Sequence, residues 1–197
     1  VVEPDTDGDG YPDSIDDFPF DPSEWLDTDG DSIGNNADTD DDNDGLDDIV
    51  EDANGNGTVD EGETDPLDPD TDDDGVCDGP LAIDGVCTAG PDAFPTDPDE
   101  TIDTDGDGIG NNADTDDDND GLDDTNETSS DPATDPLKAD TDDDGYCDGS
   151  IAVEGICEAG PDEFPTNATE WFDTDGDGIG NNADTDDDND GLNDTDE

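Results

Sequence analysis

The acidic residues of this chain fall in a spacing that suits cation coordination. Asp5-Thr6-Asp7-Gly8-Asp9-Gly10 is followed by Asp13 and Asp16, so that, with Asp5 as first position, carboxylates occupy the first, third, fifth, ninth and twelfth positions and glycine the sixth. This is the arrangement of an EF-hand-type loop, which offers a hard cation about six to eight oxygens at ~2.3–2.6 Å. Side chains at alternate positions converge on one point. Glycine at the sixth permits the reversal that brings the seventh carbonyl, then the ninth and twelfth side chains, around it. The expected ligand is Ca2+.

The frame recurs until ten loops are counted. Asp27, Asp29, Asp31, Asn35 and Asp38 form the second, with Ser32 in the glycine position. Asp40, Asp42, Asp44, Asp48 and Glu51 form the third, and Asp52, Asn54, Asn56, Asp60 and Glu63 the fourth, which is nearest to an EF-hand. Asp70, Asp72, Asp74 and Asp78 begin a fifth; Asp103, Asp105, Asp107, Asn111 and Asp114 form a sixth; Asp116, Asp118, Asp120, Asp124 and Glu127 form a seventh. Asp140, Asp142, Asp144 and Asp148 begin an eighth; Asp173, Asp175, Asp177, Asn181 and Asp184 form a ninth; Asp186, Asp188, Asp190, Asp194 and Glu197 form the tenth. About ten ions or more are expected. Asp38 closes one loop and Asp40 opens the next, and the run between Asp38 and Asp44 holds more carboxylates than one ion needs. Neighbouring sites are therefore expected to share ligands or hold further ions.

The elements that must position these loops are unusual. No helical apolar period runs for more than a few residues, and Pro, Gly and Asp interrupt every stretch. The flanking helices of a true EF-hand are not expected. The string Asp-Thr-Asp-Gly-Asp begins at Asp27, Asp103 and Asp173, and Phe-Pro recurs at Phe18, Phe94 and Phe164. Such a period marks a linear array of units that contact their neighbours. We divide the chain into a unit at 1–92, which includes the EF-hand-like loop 52–63, a second at 93–162 and a partial third at 163–197. Cys77 and Cys87, like Cys147 and Cys157, bracket an apolar stretch with a glycine turn. The simple reading is two local disulfides that pin small hairpins; the competing reading is four free or metal-binding thiols, against which stands calcium's preference for oxygen. Leu81 and Ile151 stand where loops five and eight need their twelfth ligand. Asp92 and Asp162 lie two residues before a Phe, as Asp16 does in loop one, and are expected to supply it from beyond the inserts. The expected fold is thus mostly irregular: elongated, calcium-stabilised tandem loop repeats with short disulfide-pinned β-hairpin inserts and little regular secondary structure.

Composition narrows the function classes. The 197 residues include 70 Asp or Glu, one basic residue (Lys138), no His and four Cys, for a formal net charge of −69. Ile, Leu, Val and Phe together number 28, about 14% of the chain, too few for a conventional core. There is no basic patch for nucleic acid, no apolar run of membrane-span length, and no His for zinc sites or His-based catalysis. No nucleophile or base stands apart from the ligand sets, so no enzyme is expected. The few aromatics, Trp25 and Trp171 among them, are expected to cover junctions between units. Of the sequons at Asn56, Asn126, Asn167 and Asn193, Asn126 and Asn167 are the candidates for N-glycans.

Residues 103–122, Asp-Thr-Asp-Gly-Asp-Gly-Ile-Gly-Asn-Asn-Ala-Asp-Thr-Asp-Asp-Asp-Asn-Asp-Gly-Leu, resemble a thrombospondin type 3 repeat, and the likeness extends over nearly the whole chain. It implies a calcium-replete wire in which ions replace a hydrophobic core, at a cell surface or outside the cell. Animal repeats carry Cys where Ala37, Ala113 and Ala183 stand, so their inter-repeat disulfide ladder is absent here; the Phe-Pro…Glu-Trp linkers resemble those of microbial surface proteins, and the animal family's receptor binding is not carried over. The expected function is that of an extracellular calcium-binding spacer, stalk or fibre subunit that associates with itself or with other surface proteins. The alternative is a calcium-dependent adhesion or partner-binding module: loop four resembles a dockerin loop, though without the helices a dockerin needs. A soluble calcium store is a third class, disfavoured by the evenly spaced, disulfide-containing units.

Overall fold

Helix formation is confined to two places. In the computed structural model, which describes residues 3–158 and 160–195, α1 spans Asp48–Glu51 and α2 spans Asp124–Ser129. Each begins on the ninth-position aspartate of its loop and carries acids in its first turn, where the helix dipole favours them. Each buries a single residue, Glu51 in α1 and Glu127 in α2. α2 falls where the sequence carries no helical apolar period; it closes because Ser130 N–H donates to Asn126 O at 2.9 Å and Thr128 Oγ1 to Asp124 O at 2.8 Å.

The remaining chain is built from rings. The N–H of a loop's ninth residue donates to the carbonyl that precedes its first: Asp13 to Pro4 at 2.9 Å, Asn35 to Leu26 at 3.0 Å, Asp78 to Pro69 at 3.0 Å, Asp148 to Ala139 at 3.0 Å. Inside each ring, aspartates do the work that strand ladders do elsewhere. Asp27 accepts the N–H groups of Gly30 and Ser32 at 2.9 and 3.2 Å; Asp173 accepts those of Gly176 and Gly178, both at 2.8 Å. Fifth-position carboxylates accept from the seventh residue, as Asp44 does from Leu46 and Asp120 from Leu122, both at 2.8 Å. These local side-chain bonds offer the backbone a complete alternative to helix and sheet.

The inserts are tied by disulfides Cys77–Cys87 and Cys147–Cys157, and no free cysteine remains. Strand pairing within them is limited to isolated bridges, antiparallel at Ile83–Cys87 and Val153–Cys157, parallel at Val76–Thr88 and Tyr146–Glu158. The hairpins expected from sequence stop there for a reason. Gly79 and Leu81 point their N–H groups at Asp44, and Gly149 and Ile151 point theirs at Asp120, rather than across the insert.

Burial is inverted relative to an ordinary domain. The buried apolar residues among those described are Cys77, Cys87, Ala139, Cys147 and Cys157, while nineteen acidic side chains are buried. Phe20 is 83% exposed and Ile49 78%. The chain divides into two compact units, Val1–Ile102 and Asp103–Glu197. The first contains a stacked pair, Tyr11 on Trp25, with centroids 4.9 Å apart. The second contains Tyr146 stacked on Trp171 at 5.2 Å and edge-on to Phe172 at 5.1 Å.

The sixth loop position lies in the left-handed region, at φ 98° for Gly45 and 78° for Ser32. A Cβ on Gly45 would also lie 2.9 Å from Leu81 Cγ. Gly45→Ala is therefore expected to cost about 2 kcal/mol or more, and Ser32→Gly to stabilise loop two by about 1 kcal/mol. Thermal unfolding of the two variants beside the parent, with divalent cation present, checks both signs.

Candidate metal centres

Within single loops, the first, third and fifth acids converge. Asp5, Asp7 and Asp9 each offer an oxygen within 4.8 Å of the others, as do Asp27, Asp29 and Asp31; Asp40, Asp42 and Asp44; and Asp70, Asp72 and Asp74. Convergence alone is common among acids. What separates these groups is the state of the oxygens. Among the described residues, Asp7 Oδ2, Asp9 Oδ2 and Asp16 Oδ2 in loop one are buried and accept no hydrogen bond, and so are Asp40 Oδ1, Asp42 Oδ2 and Glu51 Oε2 in loop three. Loop seven repeats this with Asp116 Oδ1, Asp118 Oδ2 and Glu127 Oε2, and Asp186 Oδ1 in loop ten behaves alike.

Loops five and eight gather their acids across the disulfide inserts. Asp72 Oδ2, Asp74 Oδ2 and Asp92 Oδ2 are all buried and unpartnered, as are Asp142 Oδ2, Asp144 Oδ2 and Asp162 Oδ2. Burial, and then the charges of Asp74, Asp72 and Asp70, push Asp92 up to about 6 against the Phe94 N–H that it accepts. Asp162 is pushed up to about 6 in the same way, by burial and by Asp144, Asp142 and Asp148. Asp16, Asp92 and Asp162 each accept the N–H of the Phe two residues on, at 2.7 Å.

The ninth position has a second task. Its side chain accepts the N–H of the second residue: Asp13 from Thr6 at 2.7 Å, Asn35 from Thr28 at 3.1 Å, Asp48 from Asp41 at 2.9 Å, Asn111 from Thr104 at 3.0 Å, Asp124 from Asp117 at 3.0 Å. Asp148 clasps Thr141, Asn181 clasps Thr174 and Asp194 clasps Asp187 in the same fashion. The twelfth-position aspartates Asp38, Asp114 and Asp184 turn onto the junction with the loop that follows, each taking the N–H groups of the intervening threonine and of the next loop's first aspartate. Asp103, Asp105 and Asp107 carry the ring bonds of loop six, and Asp175, Asp177, Asp188 and Asp190 those of loops nine and ten. Glu197 lies outside the described residues.

Loop four differs from all of these. Asn54 donates from N–H and Nδ2 to Glu63 Oε1 at 3.2 and 2.8 Å, and Asn54 and Asn56 donate from Nδ2 to Asp60 Oδ2 at 3.1 and 2.7 Å. The Gly57 N–H above all, with those of Asn56 and Gly55, holds Asp52 below the usual carboxylate range. In this loop both oxygens of Asp52 and both of Glu63 accept hydrogen bonds from within the loop.

Some members of these centres escape a spacing argument. Asp41 is buried with Oδ1 unpartnered, and burial followed by the charges of Asp48, Asp38 and Asp29 pushes it up to about 7. It follows Asp40 directly and lies outside the alternating frame. Thr64 and Thr134 donate to Glu51 Oε1 and Glu127 Oε1, both at 3.1 Å. Each opens a Thr-Asp-Pro-Leu string, a shared signal present in the sequence.

A hard dication fits loops three, five, seven and eight. The donors are all oxygen, they are buried, and several are unpartnered. The chain's one basic residue, Lys138, pairs with Asp143 at 3.0 Å and donates to Thr141 O at 2.7 Å. The chain matches no family model and no curated protein.

Burial raises Glu51 and Glu127 to about 8 and Asp42 and Asp118 to about 7, with the neighbouring carboxylates adding to each. Below the unfolded value of about 4 these groups are protonated in both states and make no difference. Between about pH 4 and about pH 8 the folded chain holds protons that the unfolded chain has released, so stability without metal falls as pH rises. In chelator, small-angle scattering is expected to show a more compact chain at about pH 5 than at about pH 8. The opposite order would contradict these environments.

Proposed function

We propose that this chain is an extracellular calcium-binding structural segment of the thrombospondin type 3-like kind, a rigid spacer, stalk or fibre subunit in which ligated cations replace an apolar core. The observation that carries the reading is the set of buried, unpartnered oxygens on carboxylates whose charges act on one another across each insert, from Asp72, Asp74 and Asp92 and from Asp142, Asp144 and Asp162. A buried carboxylate without a partner is strongly unfavourable, and a divalent cation is the partner that several such groups share most economically.

The donor set favours calcium. Oxygen-only, carboxylate-rich rings with five or six candidate ligands suit its high and flexible coordination number, whereas magnesium keeps much of its water and soft metals seek sulfur or nitrogen. Both cysteine pairs are consumed in disulfides, which suggests an oxidising compartment. Extracellular modules bind calcium at ~10⁻⁴–10⁻³ M, so metal-binding free energy becomes folding free energy under external conditions. Ten dications would bring the formal charge from −69 to about −49 and fix each ring in one compact turn. Among the described residues no helix is long and apolar enough to cross a membrane. With the carboxylates engaged as ligands and ring bonds, the reading is of a structural element rather than an enzyme.

Chelation is expected to expand the chain in small-angle scattering and to abolish amide protection in the rings, and restored calcium to reverse both. Unchanged dimensions and exchange in chelator would sink the reading. Asp92→Asn is expected to weaken calcium binding at loop five by about tenfold, whereas Asp84→Asn in the exposed turn of the same insert leaves it unchanged. Calcium titration by calorimetry separates the two, and equal affinities would remove Asp92 from the site.

A further inference from the structure

We propose that Asp78 completes a cation site with Asp44 and Glu51, so that one ion bridges the third loop and the fifth, and that Asp148, Asp120 and Glu127 form the same site in the second unit. The inference rests on the calcium-binding reading and adds a ligand to it from far along the chain. The oxygens of Asp44, Glu51 and Asp78 lie within 4.8 Å of one another. The three residues are 0%, 1% and 3% exposed. Glu51 Oε2 accepts no hydrogen bond among the described residues, and neither does Oδ2 of the adjacent, equally buried Asp42. Three buried carboxylates at this separation need a positive partner, and residues 1–102 contain no Lys, Arg or His.

The approach of the two loops is built into the backbone. Gly79 N–H donates to Asp44 Oδ2 and Leu81 N–H to Asp44 O at 2.7 Å, contacts that span 35 residues in the first case. A Cβ on Gly79 would lie 2.3 Å from Asp44 Oδ1, so glycine is what admits the insert to this distance. Thr64 holds Glu51 from the other side at 3.1 Å.

The second unit repeats the contacts that bring the insert to the loop. Gly149 donates to Asp120 Oδ2 and Ile151 N–H to Asp120 O at 2.6 Å, Thr134 holds Glu127 at 3.1 Å, and Glu127 Oε2 is buried and unpartnered. The charges of Asp118, Asp120 and Asp148 all act on Glu127. The threonine lies 13 residues after the glutamate in the first unit and 7 in the second. The constellation survives a change in the intervening chain, as expected of a site and not of an accident of connection. Bridging the loops in this way makes the disulfide insert and the two loops beside it one block.

Asp78→Asn tests the site. Asparagine suits the ninth position, where Asn35 accepts Thr28 N–H at 3.1 Å and donates to Thr28 Oγ1 at 2.8 Å, so the clasp on Thr71 is retained while the charge is lost. With full-length protein titrated with calcium, hydrogen exchange at the Gly79 and Leu81 amides is expected to need about tenfold more calcium for protection in Asp78→Asn. Glu51→Gln, which keeps an acceptor for Thr64, is expected to shift the same amides, and Asp84→Asn to leave them alone. The Gly149 and Ile151 amides of the second unit report whether a variant has disturbed the fold at large, and a shift confined to the first unit supports the bridge. Unshifted Gly79 and Leu81 midpoints in both variants, with calcium-dependent protection intact in the parent, would overturn the bridge and leave the calcium reading standing. No calcium dependence in the parent would overturn both.

Discussion

The structure depends on buried negative charge that the chain does not neutralise. An ordinary domain buries apolar side chains and places acids in water; here Asp44 and Asp120 are fully buried while isoleucines and a phenylalanine face solvent. With 70 acids to one base, no internal ion-pair network balances these groups. A folded state of this composition has two ways to exist: its carboxyl groups hold protons, or they hold cations. Burial, with the neighbouring carboxylates, raises Glu51, Glu127, Asp42 and Asp118 because bare charge is unfavourable there, and the unpartnered oxygens mark where a cation would relieve it. Where cations are the partner, folding and ligation would be one equilibrium.

The same side chains also act as scaffold. Aspartate competes with regular secondary structure because it bonds nearby N–H groups, and here that competition is won almost everywhere. First-position carboxylates take the N–H groups of the turn, fifth-position ones take the seventh, and ninth-position ones clasp the second. Third-position carboxylates such as Asp42, Asp72 and Asp142 use one oxygen to hold the ring and leave the other buried without a hydrogen-bond partner. The division explains why the rings need aspartate at alternate positions: a longer glutamate would not return to its own backbone at this spacing. Glutamate appears instead at the twelfth position of loops three, four, seven and ten, and in loop four Glu63 accepts from Asn54 across the ring.

How much of this the sequence discloses follows from the range of each interaction. The rings are local and periodic, so position and residue type identify them, and the near absence of helix and strand follows from the Pro, Gly and Asp that interrupt every run. The cysteine pairing was legible for the same reason, since each bridge spans ten residues within one insert. Contacts between loops leave no such trace. Nothing in the spacing places Gly79 against Asp44 or singles out Asp41, because these depend on how successive rings stack. Thr64 and Thr134 are intermediate: their shared Thr-Asp-Pro-Leu string was visible, but its role emerges only when the glutamate each one holds is seen. The hairpins fell short because local alternation of apolar residues competes with Asp44 and Asp120 for the same N–H groups, and the longer-range acceptors win.

Loop four shows what sets the degree of metal dependence. Its two asparagines carry amide donors, and those donors occupy Asp60 and Glu63. Its neighbour, loop three, has five carboxylates and no amide among its candidate ligands, and it retains buried oxygens without partners. Replacing carboxylate by amide thus exchanges affinity for self-sufficiency: each amide removes one charge that attracts a dication and supplies hydrogen-bond donors that replace it. The array is therefore not uniform. Among the described residues the all-acid loops one, three, five, seven and eight keep buried oxygens without hydrogen-bond partners, where a cation would relieve the most charge, while the amide-containing loop between Glu51 and Thr64 bonds its own carboxylates.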